Sequence, residues 1–297
     1  VIDKILFIPI IFFTAYLFKV FKIMKENDSN VFVNFVIYFA LPAITFDLAR
    51  DMTLGGKSAG VVLTAWSSII LGIAISWVVA RAIGLSPSSA RSFILVSSFG
   101  NTAFLGYPYA LAYFGEQNFI YAVLYDQLGS FLMVITVGFI LAVGKIELKE
   151  VLTFPPLIAL VAGFVLKDQS FPQWLEKFLD ISGSSLIPTV LFAMGLRFSF
   201  DDLRRAFLIS AIVVSIKMVI VPLLTGGLLF ATGLWGEPFR VALLQTSMPP
   251  MVMAGVLALK YNLDHKIAVS SIALGIILSF FTTTLIMGVF NQVAPTP

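Results

Sequence analysis

The chain has no cysteine and only one histidine among 297 residues, which excludes disulfides, thiolate chemistry and a transition-metal site built from Cys and His. Charge is also scarce. Asp, Glu, Lys and Arg together supply 12% of the residues, about half the ~25% of a soluble domain. The net charge is only +3, and no basic run is interleaved with aromatics, so nucleic acid is not an expected partner. No GxSxG or HExxH motif occurs, and no carboxylate pair falls at membrane depth, so no catalytic constellation is legible. Residues 54–58 read LGGKS, but Asp51 stands where a phosphate-binding loop needs its first glycine, and no strand precedes it. His265 lies between Asp264 and Lys266 and reads as a solvated loop residue.

What the chain has in excess is oil. It is 59% hydrophobic, with 29 phenylalanines and a mean hydropathy of +0.99. Such a chain cannot cover its surface with polar groups in water, and it reads as an all-α integral membrane protein in a lipid bilayer. A hydrocarbon core of ~30 Å takes about 20 helical residues to cross. Cutting the sequence at charges, Gly and Pro predicts ten spans, at 4–25, 31–50, 58–83, 90–114, 117–143, 151–167, 182–199, 205–233, 238–260 and 266–291. The first run, Ile5–Met24, is too long for a signal-peptide core and lacks a small-residue cleavage site, so a retained span is expected. The segment PQWLEKFLD (172–180) reads equally as an interfacial amphipathic helix or as the start of span seven. With both termini outside, 12 Lys and Arg fall in inner connections and 6 in outer ones, which the positive-inside rule favours.

The two halves resemble each other. ALPAITFDLAR (40–50) aligns with LIPTVLFAMGLR (186–197), and SPSSARSFILVSS (86–98) with EPFRVALLQTS (237–247). The offsets of 146–149 residues divide the chain into repeats 1–145 and 146–297, joined at Lys145–Glu150. Five spans per repeat is odd, so the second repeat is expected to be inverted in the membrane.

Each repeat also interrupts one span. VSSFGNTAFLGYP places Gly100, Asn101, Thr102, Gly106 and Pro108 inside span four, and QTSMPPMVMAG places Gln245, Thr246, Ser247, Pro249 and Pro250 inside span nine. Neither proline carries an N–H, so two main-chain carbonyls lose their helical partners. At mid-membrane such backbone is tolerated only where protein or a water-filled cavity satisfies it. Inverted-repeat carriers place their substrate at such paired breaks. Asn101 offers a donor and an acceptor, Thr102, Gln245, Thr246 and Ser247 offer neutral polar groups, and freed carbonyls can face a cation. Met248, Met251 and Met253 read as packing.

The stretches GNTAFLGYP, LPAITF, IKMVIVP and ALLQTSMPPMVMAGVLALKYN resemble the auxin efflux carrier family, across essentially the whole chain. That family includes plant auxin exporters and prokaryotic carriers proposed to move malate or malonate. The resemblance implies a ten-span fold related to bile-acid symporters and sodium/proton antiporters, with helices four and nine crossing at the substrate. It implies a dimeric scaffold of spans one, two, six and seven (residues 1–50 and 151–200) and a mobile transport domain of the others (58–144 and 205–293). It implies elevator-type transport, with Asn101 and Pro249-Pro250 on the crossover. The long cytosolic loop of many plant members is absent, and VVLTAWSSIILG lacks the Asp and Lys those members carry in span three, so auxin itself is not inferred.

Two ionisable residues lie deep. Asp126 is about 14 Å and Lys217 roughly 18 Å into their spans at ~1.5 Å per residue. Each costs at least ~2.5 kcal/mol to insert, which marks it as a functional suspect. Asp126 is expected to serve proton coupling or substrate handling, and Lys217 to counter its charge or that of an anionic substrate. A structural salt bridge between the two is the plain alternative. The expectation is a secondary transporter of a small organic anion in the cell (inner) membrane, without catalytic residues, metal or cofactor. A sodium- or proton-coupled symporter, and a membrane sensor or intramembrane enzyme, are the alternatives.

Overall fold

In the computed structural model, residues 7–50, 55–143, 153, 155–167, 169–198, 200, 201 and 206–293 are described, and every regular element among them is a helix. In chain order these are α1 (Phe7–Val20), α2 (Glu26–Arg50), α3 (Gly56–Ala82), α4 (Pro87–Ser98), α5 (Gly106–Phe114), α6 (Glu116–Ala142), α7 (Pro155–Val165), α8 (Gln173–Arg197), α9 (Phe207–Ala231), α10 (Glu237–Thr246), α11 (Val252–Lys260) and α12 (His265–Val293). Six of them (α2, α3, α6, α8, α9 and α12) contain apolar helices of 25 to 27 residues. At ~1.5 Å per residue these exceed a ~30 Å hydrocarbon core. Large apolar side chains such as Ile70, Leu208, Leu224 and Leu285 point outward, where water would penalise them and lipid would not. The linker Lys145–Glu150, Asp51 ahead of the Gly-Lys-Ser stretch, and Lys4, Arg204 and Arg205 of the charge count lie outside the described residues.

Prolines explain most irregularities. A proline cannot donate to the carbonyl four residues earlier, and its ring crowds that carbonyl. Pro42 and Pro222 each follow a π-helical turn, at Val36–Ala40 and Ile216–Ile220, that absorbs the misfit. Pro188 leaves the Ser184 carbonyl without its usual donor, and α8 is interrupted at Ser185. The segment 172–180 runs into the same 25-residue apolar helix that ends at Arg197, the second of the two readings its sequence allowed.

Close helix approaches depend on glycine. Gly195 of α8 lies against the Phe12 carbonyl and Ala15 of α1, and Gly163 of α7 lies against the Phe46 carbonyl and Ala49 of α2. A Cβ on either glycine would strike the facing backbone oxygen. These contacts are mates: Ala15 and Gly163 are separated by 148 residues and Ala49 and Gly195 by 146, so the repeat offset exchanges one contact for the other. Gly195→Ala is expected to cost about 1–3 kcal/mol of stability by overpacking. Thermal unfolding in detergent checks this, with Gly227→Ala, where nothing faces the added carbon, as the neutral control.

Candidate functional site

Both interrupted spans are broken where their prolines and glycines fall. Between α4 and α5 the chain leaves the helix at Phe99, in extended geometry, and resumes at Gly106. Between α10 and α11 it leaves after Thr246 and resumes at Val252. The two gaps meet. Asn101 N–H donates to the Pro249 carbonyl at 2.7 Å, and Met251 N–H donates to the Phe99 carbonyl at 2.9 Å. Gly100 and Pro250 thereby form an isolated antiparallel bridge. The pairing is self-complementary, because 150 residues separate Phe99 from Pro249 and Asn101 from Met251.

The carbonyls orphaned by Pro249 and Pro250 belong to Gln245 and Thr246, four residues earlier. The Gln245 carbonyl takes the Met248 N–H at 3.2 Å, a tighter turn than an α-helix makes. The Thr246 carbonyl takes the Lys217 ammonium at 2.6 Å. A buried lysine thus replaces the N–H that Pro250 lacks, and a freed carbonyl faces a cation that belongs to the protein. Gly100 leaves room for it, since a Cβ there would lie 3.1 Å from both Lys217 Cε and Nζ.

Asp126 is held on the other break. Its Oδ1 accepts from Thr102 Oγ1 at 2.5 Å, and its Oδ2 from Tyr107 Oη at 2.8 Å and Gln127 Nε2 at 2.9 Å. Among the described residues no ion pair joins Asp126 to Lys217, so the direct salt bridge is not formed. The two charges serve opposite strands of the crossing.

Asn101 turns its Oδ1 onto the Phe104 N–H at 3.2 Å, while its main-chain carbonyl accepts from Gly106 N–H at 3.0 Å, which starts α5. Its Nδ2 is buried with no partner. Gln245 is fully buried, and neither its Oε1 nor its Nε2 has one. Gly106 packs against it, and a Cβ there would displace the Gln245 amide. Ser247 is differently placed. Its Oγ donates to the Leu244 carbonyl of its own helix at 2.7 Å.

A cavity of about 180 Å³ opens at the crossing, lined by Asn101 and Asp126 together with Val33, Ile37, Leu41, Ala103, Phe104, Phe131, Met251, Val252, Met253 and Arg197. It is below the ~300–1,000 Å³ of drug-sized pockets and close to the ~150 Å³ that accommodates a benzene ring. Of the residues singled out in the sequence, Asn101 and Asp126 line it. Gly100, Thr102, Gln245, Ser247, Pro249, Pro250 and Lys217 build the crossing without lining this cavity. Met251 and Met253 also line it. Sequence reasoning missed Arg197, whose only signal was its place at the end of the second copy of a repeated segment.

The family model described as "Membrane transport protein" matches residues 1–144 and 139–287. The chain belongs to that family, and the family-level resemblance to auxin efflux carriers holds. An uncharacterized transporter of Methanothermobacter thermautotrophicus is 27% identical over 95% of this chain and 96% of its own length. An uncharacterized transporter of Methanocaldococcus jannaschii is 29% identical over 95% of this chain and 94% of its own. The protein is a multi-pass membrane transporter and not an enzyme.

Proposed function

We propose that the chain is a secondary transporter of a small organic anion, a mono- or dicarboxylate, bound where the broken helices cross. The observation that carries this is the unpaired Asn101 Nδ2, a buried donor on an apolar cavity that also presents a guanidinium. A donor left unpaired costs about 1–3 kcal/mol, which a ligand acceptor would recover. The reading takes the chain as ten spans, with α4–α5 and α10–α11 as the two broken ones, arranged as inverted halves. The mate contacts at Gly163 and Gly195 and the self-complementary bridge support it. Spans one, two, six and seven would be the fixed, dimer-forming scaffold, and the rest would move as an elevator in the cell membrane, with both termini outside.

Export of a monovalent anion needs no coupling ion, because an inside-negative potential drives it outward by about 2.3 kcal/mol per 100 mV. Lys217 supports independence from sodium, since the freed carbonyl of the crossing already holds a positive charge. Asp126 favours a second reading, proton coupling, because an anion entering the cavity meets its carboxylate. Flux of malonate and phenylacetate in proteoliposomes, with sodium, pH and voltage varied separately, tests both readings. Uncoupled export predicts flux that follows voltage and ignores sodium. Should Asp126 carry the proton, Asp126→Asn is expected to flatten the pH dependence while leaving sodium independence intact. An unchanged rate and pH profile in that variant would remove the coupling role.

A further inference from the structure

The repeat carries two arginines at equivalent ends, and the structure treats them differently. Arg50 closes α2 and Arg197 closes α8, separated by 147 residues. Arg50 is neutralised twice. It makes a two-pronged pair with Glu176, at 2.9 Å from each nitrogen, and lies 3.5 Å from Asp47. The same offset of 147 residues takes Glu176 to Ser29 and Asp47 to Met194. Arg197 meets just those uncharged substitutes. Its Nε donates to Ser29 Oγ at 3.1 Å, and Met194 lines the same cavity as it does. Its Nη2 donates to Asn30 Oδ1 at 2.7 Å. Among the described residues it forms no ion pair. Glu26, which lines the same cavity and acts on Arg197 through space, is ion-paired with Lys19 at 3.4 Å. One copy of the arginine pairs with two acids, and the other, among the described residues, pairs with neutral side chains.

The position of the copy without an ion pair gives the difference a use. Arg197 and Val252 are shared by the 180 Å³ crossover cavity and by a second cavity of about 290 Å³, lined also by Glu26, Asn27 and Ile276. Arg197 is therefore the threshold between a vestibule and the crossing. Ser29 and Asn30 fix its plane without spending its charge. Its remaining N–H groups are suited to a carboxylate, which a guanidinium grips with two parallel bonds.

Resting on the transporter reading above, we propose that Arg197 is the anion-selecting residue of the carrier, pairing with the substrate carboxylate at this threshold. Asp126, the other charge on the cavity, already accepts three hydrogen bonds and offers the substrate little. The test is binding by purified protein in lipid nanodiscs to phenylacetate and malonate, with phenylacetamide as the neutral probe. The wild type is expected to bind at least one carboxylate and to discriminate against the amide. Arg197→Gln is expected to weaken carboxylate binding about tenfold or more, as removal of one partner of a desolvated charge pair does, and to leave the amide unaffected. Arg197→Lys should restore part of the preference. Ser29→Glu keeps the arginine but rebuilds the acid pair found at Arg50, so it should abolish the preference in a folded protein even if Arg197→Gln does not fold. Carboxylate affinity and discrimination within twofold of wild type in Ser29→Glu and Arg197→Gln would overturn the inference and leave the transporter reading standing. Failure of the wild type to bind either carboxylate would overturn the organic-anion reading, and the inference with it.

Discussion

Replacing Lys217 with methionine is expected to reduce anion transport by about thirtyfold or more while leaving the chain in the membrane. Two losses combine. The Thr246 carbonyl, orphaned by Pro250, loses the ammonium that replaces the missing N–H at 2.6 Å, and a buried acceptor left unpaired costs about 1–3 kcal/mol. The crossing also loses a buried basic group, and a hydrogen bond that involves a charged group is worth about 1.5–3 kcal/mol, of which 2 kcal/mol is already about thirtyfold. Initial rates in proteoliposomes, normalised to reconstituted protein, check the first loss against the second. Thermal unfolding should fall together with transport. Lys217→Arg, which keeps the charge but is wider, should fail by a different route, because the side chain packs so near Gly100 that a single added Cβ there would already lie 3.1 Å from Lys217 Cε and Nζ. Full transport by Lys217→Met would show that the ammonium is dispensable at the crossing.

The second large effect belongs to Asn101. Asn101→Asp preserves the acceptor that caps the Phe104 N–H at 3.2 Å, so the local fold should survive. It converts the unpaired Nδ2 donor into an anionic oxygen facing the cavity. A donor to a charged partner is worth about 1.5–3 kcal/mol, so loss of the donor alone weakens carboxylate binding by about 10- to 150-fold. Repulsion from the new charge adds to this, and Asn101→Asp should therefore fall below Asn101→Ala. Titration of the variants with malonate checks the order. An aspartate variant that binds as well as wild type would mean that Asn101 does not face the substrate.

What could be read from the sequence follows from how local each signal is. Pro249 and Pro250 announce their missing N–H groups, so the break in the ninth span was legible. The donor that repairs it sits 29 residues away in chain order on another helix, and no local pattern names it. Gly100, Gly106 and Pro108 likewise announced the break in the fourth span, but the contact between gaps depends on pairing across 150 residues. Asp126 and Lys217 were visible as charges in oil, which suggested a salt bridge between them. The structure instead gives each its own neutral partners, Thr102, Tyr107 and Gln127 for Asp126 and the Thr246 carbonyl for Lys217. Ser247 is polar and central in sequence, and its hydroxyl donates to the Leu244 carbonyl of its own helix. The helix Gln173–Arg197 reads poorly because Ser184, Ser185 and Pro188 weaken its helical pattern, and the structure carries it through with a local interruption. The two ends of the repeated segment, Arg50 and Arg197, align in sequence, but their difference resides in Glu176 and Ser29, residues distant from each.

The central claim is that the crossing of the two gaps encloses a carboxylate site reached alternately from each face of the membrane. The chain contains no cysteine, so a single Ala103→Cys substitution on the cavity wall reports the site without background. Its reaction with a hydrophilic methanethiosulfonate should be measured from each side of sealed vesicles, with and without malonate or phenylacetate. Labelling from both sides, slowed by a carboxylate and not by phenylacetamide, is the predicted result. Labelling from one side only, at a rate no carboxylate changes, would contradict the account.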